Sequence, residues 1–348
     1  MKSMKRILFL FLVLIAYSLS GQNDDGARAA AVLKAAEKEI KEDGWISGGG
    51  FGMDMGQLLQ INPKVGGGEN RLGFGGAISI FAKYKKGLLS FDNIGSFNMG
   101  LVKLGTGILA STASFAKVKQ PFLKSIDELR LGSRLGYKTG VTSKWSYAVD
   151  FGFISQLMPT YRGTDNKNYV KQFRTSEIQT NLVSKLFAPA YITLAPGIDY
   201  KPNDKISWFF APFGYKSVIV ADRDLARLNI HGNKWTSNED FKLTDSQLGG
   251  MIKGNYTNKY LDGRINHSSG LTLFSNYLNE PNHIDVDWLN EFGFNIYKGF
   301  QISLLTDVFY DHDVKVQITD YSEIGGVRGT GRRVSFTEQL LVKYNMIF

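Results

Sequence analysis

The chain has 348 residues, no cysteine, 13% aromatic residues, 38 glycines against 8 prolines, and a formal net charge of +9. That length admits two soluble domains or one large β-barrel, and the composition suits long strands and bends rather than disorder. Without cysteine there are no disulfides, thiol nucleophiles or thiolate metal sites, and no lipid-anchored N-terminus of the bacterial lipoprotein type.

The N-terminus reads Met1-Lys2-Ser3-Met4-Lys5-Arg6, then an apolar run from Ile7 to Ala16, then small residues Ser18, Ser20 and Gly21. Charge, short apolar core and small-residue exit predict a secretory signal peptide over residues 1–21. The run is too short for a transmembrane helix, and no later segment approaches the roughly 18 consecutive apolar residues a spanning helix needs. An exported chain of this kind can sit in a membrane only as a closed barrel. Residues 22–44 are Ala-rich up to Gly44 and predict a helix. It reads either as a plug or periplasmic docking helix or as a solvated spacer, because an alanine face buries little area.

From Trp45 to Phe348 one device repeats: apolar and polar residues alternate with the period of a pleated strand. Leu72, Phe74, Ile78, Ile80 and Tyr84 oppose Arg71, Ala77, Ser79 and Lys83. Leu129, Leu131, Leu135 and Tyr137 oppose Glu128, Arg130, Gly132 and Arg134, while Trp145, Tyr147, Val149 and Phe151 oppose Ser146, Ala148 and Asp150. Weaker versions cover 45–55, 88–104, 190–201, 206–219, 247–257, 265–278 and 286–297, and Phe300–Tyr310 is clear again. With the final stretch this makes about twelve strands, an even number of the kind bacterial barrels use. Connections alternate short and long, with 279–284 the exception, as in barrels with tight periplasmic turns and longer external loops. The predicted fold is therefore all-β: an antiparallel up-and-down transmembrane barrel of about twelve strands with a short N-terminal helix. Tyr and Trp at segment ends suit interfacial girdles.

The final stretch, Arg333 to Phe348, puts Phe336, Leu340, Val342, Tyr344 and Met346 on one face. Tyr344, Met346 and the terminal Phe348 resemble the signal read by the barrel-assembly machinery of bacterial outer membranes.

Several blocks resemble those of one family. Gly66-Gly67-Gly68-Glu69-Asn70, Tyr84-Lys85-Lys86-Gly87, Phe91-Asp92-Asn93, Phe187-Ala188-Pro189-Ala190-Tyr191, Asp199-Tyr200-Lys201-Pro202-Asn203, Leu273 to Leu278 and Ile284 to Trp288 are similar to recurring blocks of Bacteroidota outer-membrane β-barrels catalogued only as a domain of unknown function. The resemblance runs from about Gly44 to the C-terminus. It implies a barrel in the outer membrane and brings no activity with it.

Chemistry is sparse. Basic residues crowd some predicted loops: Lys117, Lys119 and Lys124; Arg162, Lys167, Lys171 and Arg174; Arg328, Arg332 and Arg333. For an exported barrel the counter-charge is lipopolysaccharide phosphate, or simply water, rather than nucleic acid. Candidate lumen-lining residues are Arg71, Lys83, Glu128, Arg130, Arg134, Asp150, Asp199, Glu291, Asp307 and Lys343, with Lys138, Lys201, Lys253, Asp287 and Asp311 on the same face. They either pair across a filled interior or line a water-filled constriction. His267-Ser268-Ser269-Gly270 resembles, without its Asn, the His-x-Ser-Asn-Gly block of outer-membrane phospholipases. His267 and Ser269 share a lipid-facing side, so the alternatives are a nucleophile and base or two interfacial residues. Asp311-His312-Asp313 is a further, incomplete set of divalent-cation ligands. No cofactor is expected. The overall expectation is a non-enzymatic barrel, either a passive channel or an envelope component, with a plugged accessory subunit of a larger envelope complex as the alternative. Expected partners are outer-membrane lipid, lipopolysaccharide, the assembly machinery and other envelope proteins.

Overall fold

The computed structural model describes residues 43–58, 71–104, 121–161, 163–169, 181–228, 233, 235, 236, 241–312, 316–319 and 327–347. In chain order its elements are β1 (Gly44–Leu58), β2 (Arg71–Lys86), β3 (Leu89–Leu104), β4 (Leu123–Lys138), β5 (Trp145–Ser155), β6 (Thr160–Tyr161), β7 (Leu182–Ser184), β8 (Ala190–Asn203) and β9 (Ile206–Ile219). A short helix follows, α1 (Arg223–Arg227), and then β10 (Thr244–Tyr260), β11 (Ile265–Asn276), β12 (Asp285–Tyr297), β13 (Phe300–Tyr310), β14 (Val316–Thr319), β15 (Val327–Gly331) and β16 (Ser335–Ile347). Twelve of these close a ring in the order β1-β16-β13-β12-β11-β10-β9-β8-β5-β4-β3-β2. Every pairing is antiparallel, and closure is made by β16, which pairs with β13 on one side and with β1 on the other. The predicted antiparallel barrel and its strand number are those observed, while the predicted N-terminal helix lies outside the described residues. Two small hairpins, β6-β7 and β14-β15, stand outside the ring.

The burial pattern inverts that of a soluble protein. On β2, Ile78 and Ile80 are 49% and 55% exposed while Ala77, Ser79 and Phe81 between and beside them are buried. Val342 and Met346 on β16 are exposed, and the intervening Lys343 is 4% exposed. Water would reward the opposite arrangement; hydrocarbon rewards this one. Closure gives each of the twelve strands a hydrogen-bonded neighbour on both sides, as a bilayer demands. The molecule is an outer-membrane β-barrel. No helix among the described residues is long and apolar enough to cross a membrane.

Five connections are tight and cluster at the end of the barrel where β1 begins. Gly299 shows why one of them is glycine: φ is +86°, and a Cβ there would stand 2.7 Å from the Asn345 carbonyl oxygen. At the opposite end, external by the rule that outer-membrane barrels keep their short turns on the periplasmic side, the longer connections carry structure of their own. Tyr161, Leu182, Ala188, Val220, Leu225, Ala226 and Phe241 form one apolar cluster, joining the β5-β8 and β9-β10 connections into a shared cap. Asp222 anchors it. Its Oδ1 accepts from the Asp224 and Leu225 N–H groups at 2.9 and 3.0 Å, and Lys185 Nζ lies 2.5 Å from Oδ2. Partial burial works against this carboxylate, yet the Lys185 and backbone hydrogen bonds outweigh it and hold the group below its usual range.

One loop assignment is corrected. Lys124, expected among the basic loop residues, is buried in β4, which begins at Leu123. Its Nζ donates to Asp127 Oδ2 at 2.7 Å and to the Met158 carbonyl at 2.8 Å, while Asp127 accepts from the Leu157 and Met158 N–H groups. This pair pins the β5-β6 link to β4, so Lys124 offers no surface charge.

Candidate functional site: the barrel lumen

Alternation places one residue in two of every strand inside the barrel, and those side chains fall into a packed side and an open side. The packed side is built by β4, β5 and β8 to β11. Arg134 reaches Asp150 Oδ1 with Nη2 at 2.8 Å and Asp199 Oδ1 with Nη1 at 3.1 Å, and its guanidinium lies 4.7 Å above the Phe209 ring. Lys253 donates to the second oxygen of Asp150. In the ring β8 and β9 separate β5 from β10, so the Lys253–Asp150 contact is a chord across the interior. Around it Ala148, Ala195, Phe209, Ala211, Met251 and Phe274 form a buried apolar cluster, the alanines making room for the two rings. A smaller chord joins β12 to β16. Lys343 Nζ and Ser303 Oγ both donate to Glu291 Oε1, at 2.9 and 2.8 Å, beside buried Leu305 and Leu341.

The open side is different. Arg130 makes a two-point contact with Glu128, at 2.5 and 2.9 Å, on its own strand, yet its side chain is 42% exposed. Asp287 on β12 faces inward, is exposed, and interacts electrostatically with Arg130 and Lys216. Lys216 also stands 3.7 Å from Asp285 and 4.1 Å above the Phe274 ring. Ile94 on β3 shares the inward face and is 40% exposed. In the ring β12 stands across the lumen from β3 and β4, so these exposed side chains face one another over solvent-accessible interior, nearer the long-connection end than the chords.

Of the predicted lining residues, Glu128, Arg130, Arg134, Asp150, Asp199, Glu291 and Lys343 meet partners in the interior as described. Lys83 lies 5.7 Å from the Phe81 ring near the turn end, and Asp307 sits on β13 opposite Leu289. Arg71 belongs to β2, and its side chain lies outside the described residues, as do the side chain of Arg328 and the whole of Lys117, Lys119, Arg162, Lys171 and Arg174. The proposed signal peptide, most of the Ala-rich segment and Phe348 also lie outside them, whereas Tyr344 and Met346 face outward. Lys138 and Lys201 are exposed at the turn end, and Lys167, Arg332 and Arg333 are exposed on the external side.

Sequence reasoning missed Lys216 and Phe209. The β8-β9 pairing shifts register between Leu194 and Ile198, and the β9-β10 pairing shifts beside Gly249, so inward parity on β9 changes along the strand. Pro196 and Pro212, inside strand patterns, were the available signal, since proline in a strand marks an irregularity.

On the outer wall, Ser269 Oγ accepts from Trp288 Nε1 at 2.9 Å. The His267 ring stacks on Phe292 at 4.0 Å, with Tyr256 edge-on at 5.2 Å. Both face lipid as expected, and both are built into an aromatic band. At the external rim His312 comes together with Glu280 and His283 of the β11-β12 connection, while Asp313 lies outside the described residues.

Residues 60–161 match the sequence pattern of a family described as a protein of unknown function (DUF3078). No curated protein matches the sequence. Among solved structures, the fold is similar to an outer membrane channel from Pseudomonas putida F1, with 11% identity, 90% of this chain and 100% of that chain covered, and a TM-score of 0.39. It is also similar to the toluene transporter TodX of P. putida, at 13% identity, coverage of 89% and 80%, and a TM-score of 0.33. A third likeness is to outer membrane phospholipase A from Escherichia coli, at 9% identity, coverage of 92% and 98%, and a TM-score of 0.34. These likenesses are of architecture and assign no substrate.

Proposed function

We propose that this barrel is a narrow passive channel for small polar or charged solutes, running along the open side of its lumen past Arg130 and Asp287. The carrying observation is that these two groups face inward and are nevertheless exposed, each four residues along its strand from Arg134 or Glu291 of the chords. Charges on a narrow water-filled path set the barrier for passing ions. In planar bilayers the purified protein is expected to conduct, and Arg130→Glu to shift its preference toward cations. A wild type with no unitary conductance would sink the proposal.

The chords themselves favour a second reading, a plugged barrel serving a larger envelope assembly, because they spend interior charges on each other. Resembling blocks beyond residue 161, such as Asp199 to Asn203, extend the likeness to the Bacteroidota family over the rest of the barrel. Exposed Lys167, Arg332 and Arg333 suit lipopolysaccharide phosphates. His267 and Ser269 are read as wall packing rather than as a catalytic pair.

A further inference from the structure

The β11-β12 connection is short, and its shape is set locally. The Glu280 carbonyl accepts from the His283 N–H at 2.9 Å, Pro281 occupies the second position of the turn, and Glu280 has φ +49°. Ser275 Oγ donates to the Pro281 carbonyl at 2.6 Å and ties the turn back to the end of β11. The turn projects Glu280 and His283 toward the segment that follows β13, where His312 waits. His283 Nδ1 is 3.1 Å and His312 Nε2 is 3.2 Å from the same oxygen, Glu280 Oε2, and the two imidazoles are parallel with centroids 3.5 Å apart.

Two observations say that this cluster wants a cation. Tyr310 Oη lies 3.2 Å from His312 Nδ1, so in the tautomer that donates to Tyr310 the Nε2 lone pair points at the Glu280 carboxylate. His283 Nδ1 is a buried atom that makes no hydrogen bond, although it stands beside that same carboxylate. Lone pairs converging at about 3.1 Å repel unless a proton or a metal ion lies between them. The separations suit a metal: donors about 2.1 Å from a tetrahedral zinc stand roughly 3.4 Å apart. The Tyr310 contact is the outer support that a ligating histidine usually has.

We propose that His283, His312 and Glu280 bind one divalent transition-metal ion of the zinc class at the external rim, with the remaining position left to solvent. Two imidazoles and one carboxylate select zinc, cobalt or nickel over magnesium or calcium. The ion would clip the β11-β12 connection to the chain leaving β13, at the mouth of the barrel.

The test uses the full chain, folded in detergent and stripped with a chelator, titrated with zinc chloride by calorimetry and with cobalt chloride by visible absorption. Expected are one zinc per barrel, cobalt bands of a four-coordinate site, and no uptake of magnesium. The double change His283→Ala with His312→Ala should abolish stoichiometric uptake, and Glu280→Gln should weaken it about tenfold. His267→Ala, on the outer wall, should leave it unchanged. Heat-modifiable migration on gels confirms that each variant is folded. A wild type that takes up no zinc stoichiometrically, or a folded double variant that binds as tightly as wild type, overturns the proposal. Neither result bears on conductance, so this site and the channel stand or fall separately.

Discussion

Arg130 and Arg134 sit four residues apart on β4, point into the same lumen and each pair with an acid, yet they do different work. Arg134 bridges carboxylates from two other strands, stacks on Phe209 and is 22% exposed. Arg130 meets an acid on its own strand and keeps nearly twice the accessible surface. A charge whose partners come from several strands fixes the shape of the barrel. A charge whose two-point contact is two residues away, with Asp287 acting on it from across the lumen, fixes less of that shape and stays open to whatever passes. In this lumen, connectivity rather than residue type separates structure from path.

The largest test of that contrast is Arg134→Glu. It removes the shared partner of Asp150 and Asp199 and adds a third anion, leaving Lys253 and the more distant Lys201 to oppose them. Breaking a buried ion network by removing one partner typically costs 3–5 kcal/mol. Unfolding titrations in liposomes should therefore show a loss of about 4 kcal/mol or a failure to assemble. A folded, undiminished variant would mean that the packed side is held by its apolar cluster alone.

Barrel, strand number and facing were legible in the sequence because they rest on alternation, which survives any choice of shear. Leu131 out and Gly132 in follows from parity alone. The partners were not legible: that Lys253 crosses to Asp150, or Lys343 to Glu291, depends on stagger between strands distant in the chain. Lys216 stayed hidden for the same reason, since irregularities on both sides of β9 shift the parity. His312 was singled out from its acidic neighbours, but its actual partners arrive from a different connection, and nothing in the local spacing of Asp311-His312-Asp313 points to Glu280 or His283. The external cap escaped because its cluster is assembled from short pieces with no periodicity to read.

Leu131, between the two arginines in sequence and on the other side of the wall, sharpens the comparison from outside. It is 46% exposed toward lipid. Leu131→Arg should cost about 3 kcal/mol in liposomes, within the 2–4 kcal/mol found for a cation near the bilayer midplane. The loss comes from transfer into hydrocarbon, so it should shrink in detergent micelles, whereas that of Arg134→Glu should not. Equal losses in both media would mean that Leu131 lies nearer an interface than mid-strand.

The smallest effect is the most informative. Arg130→Ala removes the two-point contact with Glu128, but water already reaches the arginine, and Asn98 Nδ2 lies 3.4 Å from the carboxylate. An ion pair accessible to solvent contributes about 0–1 kcal/mol, so unfolding should shift by less than about 1 kcal/mol. Conductance should change while stability holds, because the removed charge faces the path and its two-point contact lies within one strand. If Arg130→Ala instead destabilises as much as Arg134→Glu, then Arg130 is locked into the interior after all and the lumen has no open side. The plugged reading would then be the one to pursue, and the distinction between the two arginines would reduce to solvent accessibility without function.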